Sequence, residues 1–170
     1  MRRALRLRGE RRQLMTAEAE VLGELRRLRA RLPQVTGALA ASTDGLVLAE
    51  EISGAGAAAG AGAGPETGLA TGVATGVEPE GIAALTAAAL GVSLRLTDST
   101  GQGGFRELLI RGERGYVATY AAGGSAVLTV LAEPRINVGR LHLEARRSGA
   151  RIGSLVDGAL AGSLERPENA

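Results

Sequence analysis

The sequence predicts an α+β domain in the order helix–strand–strand–helix–strand–strand–strand–helix. Three observations predict it. The stretch GFRELLIRGERGYVATYAAGGSAVLTVL, residues 104–131, divides into three runs rich in β-branched and aromatic residues, Phe105–Arg111, Tyr116–Ala121 and Ser125–Leu131. The glycine turns Gly112–Gly115 and Ala122–Gly124 separate them. Links that short force an antiparallel meander, because parallel neighbours need a crossover of a dozen or more residues. Thr43-Asp44-Gly45 joins two further apolar runs, Val35–Ser42 and Leu46–Glu50, with the Asp-Gly signal of a hairpin. Finally, the segments before, between and after these strands carry apolar residues at helical spacing, suited to covering a sheet.

The totals bound the answer further. A chain of 170 residues is one domain with tails. Its 45% apolar share can form a core, but with 2% aromatic residues that core is Leu, Val, Ile and Ala. The absence of cysteine excludes disulfides and thiolate metal sites and suits a reducing cytoplasm. No window approaches 18 uncharged apolar residues, so no membrane span is read, and the basic start lacks the apolar run and cleavage site of a secretory signal. Every basic residue is arginine, which together with 26 glycines reads as coding bias and weakens any argument from arginine number.

Ten of the 20 arginines lie in the first 32 residues. Residues 1–15 read as a disordered basic arm, with Met15 a candidate initiator. Arg2, Arg3, Arg6, Arg8, Arg11 and Arg12 could attract nucleic acid or an anionic membrane surface, but no aromatic side chain is interleaved for stacking. The domain proper spans 16–161. Thr16 can cap its first helix, Val21, Leu25, Leu28 and Leu32 make the apolar stripe, and Pro33 stops it. Residues 53–78, mostly Gly, Ala and Thr, read as a flexible insert with too little apolar surface to repay its ordering entropy. Its G-x-G triplets do not make a phosphate loop, since there is no lysine and no following helix in the right context.

Pro79–Thr97 reads as the second helix, with Pro79 in its first turn. Ile82, Leu85, Ala89, Val92 and Leu96 form one stripe, and Leu90 and Leu94 sit beside it. So apolar a helix is buried on more than one side, either within the monomer or between the sheet and a second subunit. Arg106, Glu107 and Arg111 mark the first meander strand as a charged edge. The last helix begins near Arg135–Val138, with Asn137 a cap and Leu141, Ala145, Ser148, Ile152 and Leu155 its inner line; residues 162–170 read as a tail.

The chemistry inventory argues against an enzyme. A single histidine, His142, no cysteine or lysine, and no serine in a nucleophile motif leave no assembled acid, base and nucleophile. Asp44 reads as a turn residue, and Glu50 and Glu51 point to opposite faces of their strand. No cofactor or metal site is expected.

The element order, together with VTGALAASTDGLVLAEE, the alanine-rich second helix, the meander text and NVGRLHLEARR, resembles the roadblock/longin dynein light chain family in its bacterial branch. The resemblance covers about Leu32 to Leu160 apart from the insert. It implies a single five-stranded antiparallel sheet with three flanking helices in a profilin-like layering. It further implies a homodimer built on the second helix and the first meander strand, through Leu85, Ala88, Ala89, Val92 and Leu96 and through Arg106, Leu108 and Ile110. The function it implies is a non-enzymatic regulator or scaffold of a small Ras-like GTPase in the cytoplasm. Two other classes stay open: a nucleic-acid or membrane-surface adaptor using residues 1–15, and a small-ligand sensor.

Overall fold

The computed structural model describes residues 2–52 and 78–164, with side chains for 16–52 and 78–162. Its elements are α1 (Arg2–Arg31), β1 (Val35–Ser42), β2 (Val47–Ile52), α2 (Pro79–Ser99), β3 (Glu107–Gly112), β4 (Gly115–Ala122), β5 (Ala126–Ala132) and α3 (Val138–Leu164). The five strands form one antiparallel sheet in the order β2-β1-β5-β4-β3, so the α+β class and element order follow the sequence reading. The last strand in the chain is therefore central. β5 pairs with β1 from Val35↔Ala132 to Ser42↔Ala126 and with β4 from Tyr116↔Ala132 to Ala122↔Ala126.

Two boundaries differ from expectation. The first helix does not begin at Thr16 but runs from Arg2 to Arg31. Arginine, leucine, alanine and glutamine are good helix formers, and nothing between Arg2 and Thr16 breaks the chain as proline would. Thr16 is consequently an interior residue of α1. Leu46 leaves the second strand: its N–H donates to Ser42 Oγ at 3.0 Å across a turn in which Gly45 takes φ 93°, and its side chain is exposed. The flexible insert expected at 53–78 lies outside the described residues except for Glu78, whose carbonyl accepts from Ile82 N–H at the start of α2. The helix ends as read in outline. Pro79 takes the first turn of α2, and Asn137 caps α3, its Oδ1 accepting from Arg140 N–H at 2.9 Å.

The sheet has helices on both faces. α1 and α3 pack on one, where Val21, Leu25, Leu28 and Leu32 meet Leu128, Val130, Leu141, Ala145 and Ile152. α2 packs on the other, where Ala83 and Leu90 meet Leu39, Ala41 and Val127, with Phe105 closing the margin. Glu50 and Glu51 separate as alternation requires: Glu51 turns to α1 and pairs with Arg26 and Arg29, whereas Glu50 lies near Glu80 of α2.

A buried carboxylate joins α1 to α3. Glu24 is 1% exposed and sits between Val21 and Leu28 on the apolar stripe of α1. Ser148 Oγ donates to it at 2.7 Å, Arg31 and Arg27 at 3.1 Å each, and Arg151 at 3.4 Å. Burial pushes its carboxyl up, but the bonds from Ser148, Arg31 and Arg27 together outweigh that and hold it below the ordinary glutamate range. Arg31 Nε also lies 2.8 Å from Glu144, so the guanidinium bridges two α-helical acids. On the far side of α3, glycines set the packing distance. A side chain at Gly153 would meet the backbone of Gly123, which turns β4 into β5 at φ 71°.

Two outcomes follow for stability. Gly153→Val must push that turn off α3 and is expected to lower stability by about 1–3 kcal/mol, read from chemical denaturation. Because the Glu24 carboxyl is depressed in the folded chain, its contribution is complete above about pH 5 and is lost as pH falls below about 4. Glu24→Gln is expected to flatten that acid limb of a melting-temperature profile while lowering stability at neutral pH.

Candidate dimerisation and partner surface

The surface of interest is what α2 leaves bare. α2 is seated by Ala83, Thr86 and Leu90, all buried. Thr86 reaches into the sheet: its hydroxyl lies 3.0 Å from that of Thr129, which lies 3.4 Å from that of Thr119. The three hydroxyls satisfy one another beneath the helix, so a polar residue on an apolar helix marks its docked face. Opposite that face, Leu85, Val92 and Leu96 are 73%, 68% and 63% exposed, an apolar stripe at helical spacing. Ala88 lies exposed along the same stripe and Ala89 is half-buried toward the seat. The helix finishes in a Schellman motif, with Gly101 at φ 68° donating to the Asp98 carbonyl and Gln102 to that of Thr97.

α2 packs over β1 and β2. The β3–β4 end of the same sheet face is open. Leu108 pairs with Thr119 and Ile110 with Val117, which places both leucine and isoleucine on the α2 side of the sheet. Ile110 and Val117 are exposed, and with Thr36 and Leu131 they line an open depression of about 600 Å³. Arg106 is exposed just before β3. β3 itself is the last strand of the sheet, pairing with β4 alone. The residues named from sequence thus fall on two adjacent features, an exposed helix stripe and an open strand with its flanking sheet face.

The other face of β3 is charged. Glu107 accepts two 2.7 Å bonds from Arg146 of α3, and this fork holds its carboxyl below the usual range against the effect of burial. Tyr120 Oη lies 3.0 Å from His142 Nδ1 with the rings edge-on, and burial pushes the Tyr120 hydroxyl well up, keeping it neutral. His142 is therefore packed structure. A cavity of about 700 Å³ lies here, lined by Glu107, Tyr120, Arg146 and Asp157 among others. Three of its charged groups already have partners: Glu107 and Arg146 pair, and Asp157 accepts from Gly124 N–H at 3.1 Å, while Arg106 also lines the cavity. That leaves a small ligand few free polar groups to recognise. Among the described residues no three His, Asp or Glu side chains converge as a metal site.

Sequence reasoning placed Ser148 on the inner line of the last helix but missed Glu24, to which it donates, and the Glu107–Arg146 fork. Glu24 had a signal: it stands three residues after Val21 and four before Leu28, a core position occupied by an acid. The fork had none, being a contact between residues 39 apart.

Residues 66–132 match the model of the Roadblock/LC7 domain. Over this stretch the chain is similar to the Roadblock/LC7 domain. The matched stretch takes in α2 and the meander through β5, and the structural comparisons extend the likeness to the flanking elements. The domain superposes on "MglB with tetrameric arrangement" at a TM-score of 0.66, with 18% identity, covering 84% of this chain and 92% of that one. The gliding protein MglB of Thermus thermophilus gives 0.64 at 18% identity, covering 84% and 92%. A Roadblock/LC7 domain of Streptomyces avermitilis gives 0.62 at 18% identity, covering 80% and 97%. In sequence, the uncharacterized protein MJ0714 of Methanocaldococcus jannaschii is 25% identical over 118 residues, covering 69% of this chain and 81% of its own length.

α2 also meets the length and hydropathy of a bilayer-crossing helix, which the sequence reading had not credited to it. In this fold that apolar character is divided between the seat on the sheet and the exposed stripe.

The hydroxyl triad generates a prediction. Thr129→Val strands the buried hydroxyls of Thr86 and Thr119 and is expected to cost about 1–3 kcal/mol in denaturation. Converting all three threonines to valine removes the stranded groups and is expected to recover much of that loss, since matched apolar replacements are nearly neutral.

Proposed function

We propose that this chain is a non-enzymatic, homodimeric regulator or scaffold of a small Ras-like GTPase, acting in the cytoplasm. The observation that carries the reading is the bare apolar stripe of α2 beside an open sheet edge, on a Roadblock/LC7 scaffold. Leu85, Val92 and Leu96 form a contiguous apolar surface of the kind that marks protein contacts. In the dimer, β3 of each subunit extends the other's sheet, and α2 with Leu85, Ala88, Ala89, Val92 and Leu96 lies against the partner beside Arg106, Leu108 and Ile110. The resemblance to the bacterial roadblock branch, whose members occur alongside Ras-like GTPases, supplies the partner class. The structural likeness to MglB supports the same fold-level assignment.

The mechanism on this reading is population shift. The dimer holds the GTPase's switch region in one arrangement and biases the nucleotide-dependent equilibrium by its difference in affinity for the two states. Equal affinity would make it a scaffold alone.

Two measurements test the reading. The mass in solution at micromolar concentration is expected to be that of a dimer, with Val92→Arg shifting it to the monomer by placing a charge in the apolar contact. Capture from native lysate with the tagged chain, run with GTP analogue and with GDP, is expected to recover a small GTPase in nucleotide-dependent yield. Recovery of nucleic acid or membrane and no GTPase would overturn the regulator reading in favour of the arginine-rich helix start.

A further inference from the structure

α1 and α3 run antiparallel on the sheet face opposite α2, and their seam carries an unequal set of charges. On α1, Glu24, Arg27 and Arg31 follow one another at helical spacing, and on α3 Arg140, Glu144, Arg147 and Arg151 do the same. Glu24 meets Ser148 and Arg151, and Arg31 meets Glu144, so the two lines face each other. The acids lie at the bottom of the seam, where the side chains of Glu24 and Glu144 are 2% and 14% exposed. The arginines lie at the top, with Arg27, Arg147 and Arg151 63%, 64% and 65% exposed. Arg140 is exposed as well and donates to the Arg31 carbonyl at 3.1 Å. Arg27, Arg31, Arg140, Arg147 and Arg151 thus stand over two sunken carboxylates.

What solvent meets along this seam is therefore cationic. An ordinary solvated face intersperses both signs. Here Glu20 stands a turn before Glu24, beyond the Arg151 end, and Asp157 turns to the Gly124 N–H. In the loop before α3, Glu133 and Arg135 offset each other. Arg147 and Arg151 are held by long contacts only, 3.5 Å to Glu144 and 3.4 Å to Glu24, which leaves their donors turned outward. Leu143 lies on the same side of α3, three residues after Arg140 and four before Arg147, and it too is exposed. Guanidinium groups around an exposed leucine on a long helix suit a bilayer surface: the charges meet lipid phosphates and the apolar group enters between acyl chains. A nucleic-acid backbone offers Leu143 no apolar partner. The three aromatic residues, Phe105, Tyr116 and Tyr120, pack elsewhere and supply the seam with no stacking surface.

We infer that the α1–α3 seam docks the domain peripherally on an anionic lipid surface, through Arg27, Arg31, Arg140, Arg147 and Arg151 with Leu143 as the apolar point of entry. One leucine supplies little area, so the attachment is chiefly electrostatic, reversible and weakened by salt. The inference concerns a single subunit and goes beyond the regulator reading, on which it does not depend. α2 lies on the opposite face of the sheet, so its apolar stripe stays free for a protein partner while the seam is engaged. Arg2, Arg3, Arg6, Arg8, Arg11 and Arg12 are not part of the seam and are kept unchanged in every variant below.

Flotation of the full chain with lipid vesicles tests this. Vesicles of equal parts phosphatidylglycerol and phosphatidylcholine are expected to carry the chain at low salt and to release it as salt rises, whereas phosphatidylcholine alone leaves it behind. Arg147→Gln combined with Arg151→Gln keeps Ser148, Arg27 and Arg31 around Glu24. At about fivefold per arginine, that pair is expected to weaken vesicle binding by more than about tenfold. Arg95→Gln combined with Arg114→Gln removes the same charge away from the seam and is expected to leave binding nearly unchanged. Leu143→Asn alters no charge and is expected to weaken vesicle binding severalfold. Thermal melts matching the wild type distinguish lost docking from lost folding, and Leu143→Asn carries the test alone where the arginine pair fails to fold. Absence of flotation at low salt would overturn the inference. Equal losses from the two arginine pairs would overturn it too, by assigning the attraction to overall charge. Tighter binding to duplex DNA than to the anionic vesicles, with Leu143→Asn altering neither, would put nucleic acid in place of the bilayer.

Discussion

A sheet of five strands about 4.8 Å apart is about 20 Å wide, and a helix covers a strip about 10 Å across. That arithmetic governs the molecule. α1 and α3 together cover one face from β2 to β4, and the face they cover holds the larger core cluster. α2 alone sits on the other, over β1 and β2, and half of that face stays bare. Everything unusual about α2 and β3 follows from this mismatch. The bare half keeps an apolar composition, with Ile110, Val117 and Leu131 where a fully solvated sheet would alternate to polar residues.

The two faces are consequently held by different forces. Between α1 and α3 the contact is closed, so a buried acid can be surrounded. Glu24 collects a hydroxyl and three guanidinium groups, and the arginines keep their outer ends in water. Under α2 there is no such density of charge, and the polar anchor is a row of neutral hydroxyls from Thr86, Thr129 and Thr119. A neutral row carries no desolvated charge, so it fixes where the helix sits without demanding that the helix be covered from above. α2 can thus be firmly seated and still present Leu85, Val92 and Leu96 outward.

Much of this was legible in the sequence because it is local. Turn glycines and β-branched runs located the meander to within two residues, and Pro79 and Asn137 marked helix starts through their own backbone chemistry. The helix start at Thr16 misread the arm because a capping residue is only a permission to begin, and the arginines and leucines before it favour helix as strongly as those after. The surface residues of α2 were legible for a different reason: too many apolar positions for one buried stripe is a periodicity argument. The strand order was not, since nothing in a run of residues says that the last strand will sit in the middle. The Glu107–Arg146 fork and the Glu24 cluster depend on that order and on the helix pairing, so local reading could reach only their individual members.

The mismatch between sheet width and helix width also connects assembly to partner binding. In the proposed dimer each α2 lies beside the axis, so a partner seated on the helices contacts both subunits at once. A partner that binds only the assembled surface stabilises the assembly by mass action, and the dimer strengthens the partner's binding by the same factor. Regulation through such a surface needs no movement within the subunit, only a difference in how well two states of the partner fit one rigid, two-fold platform.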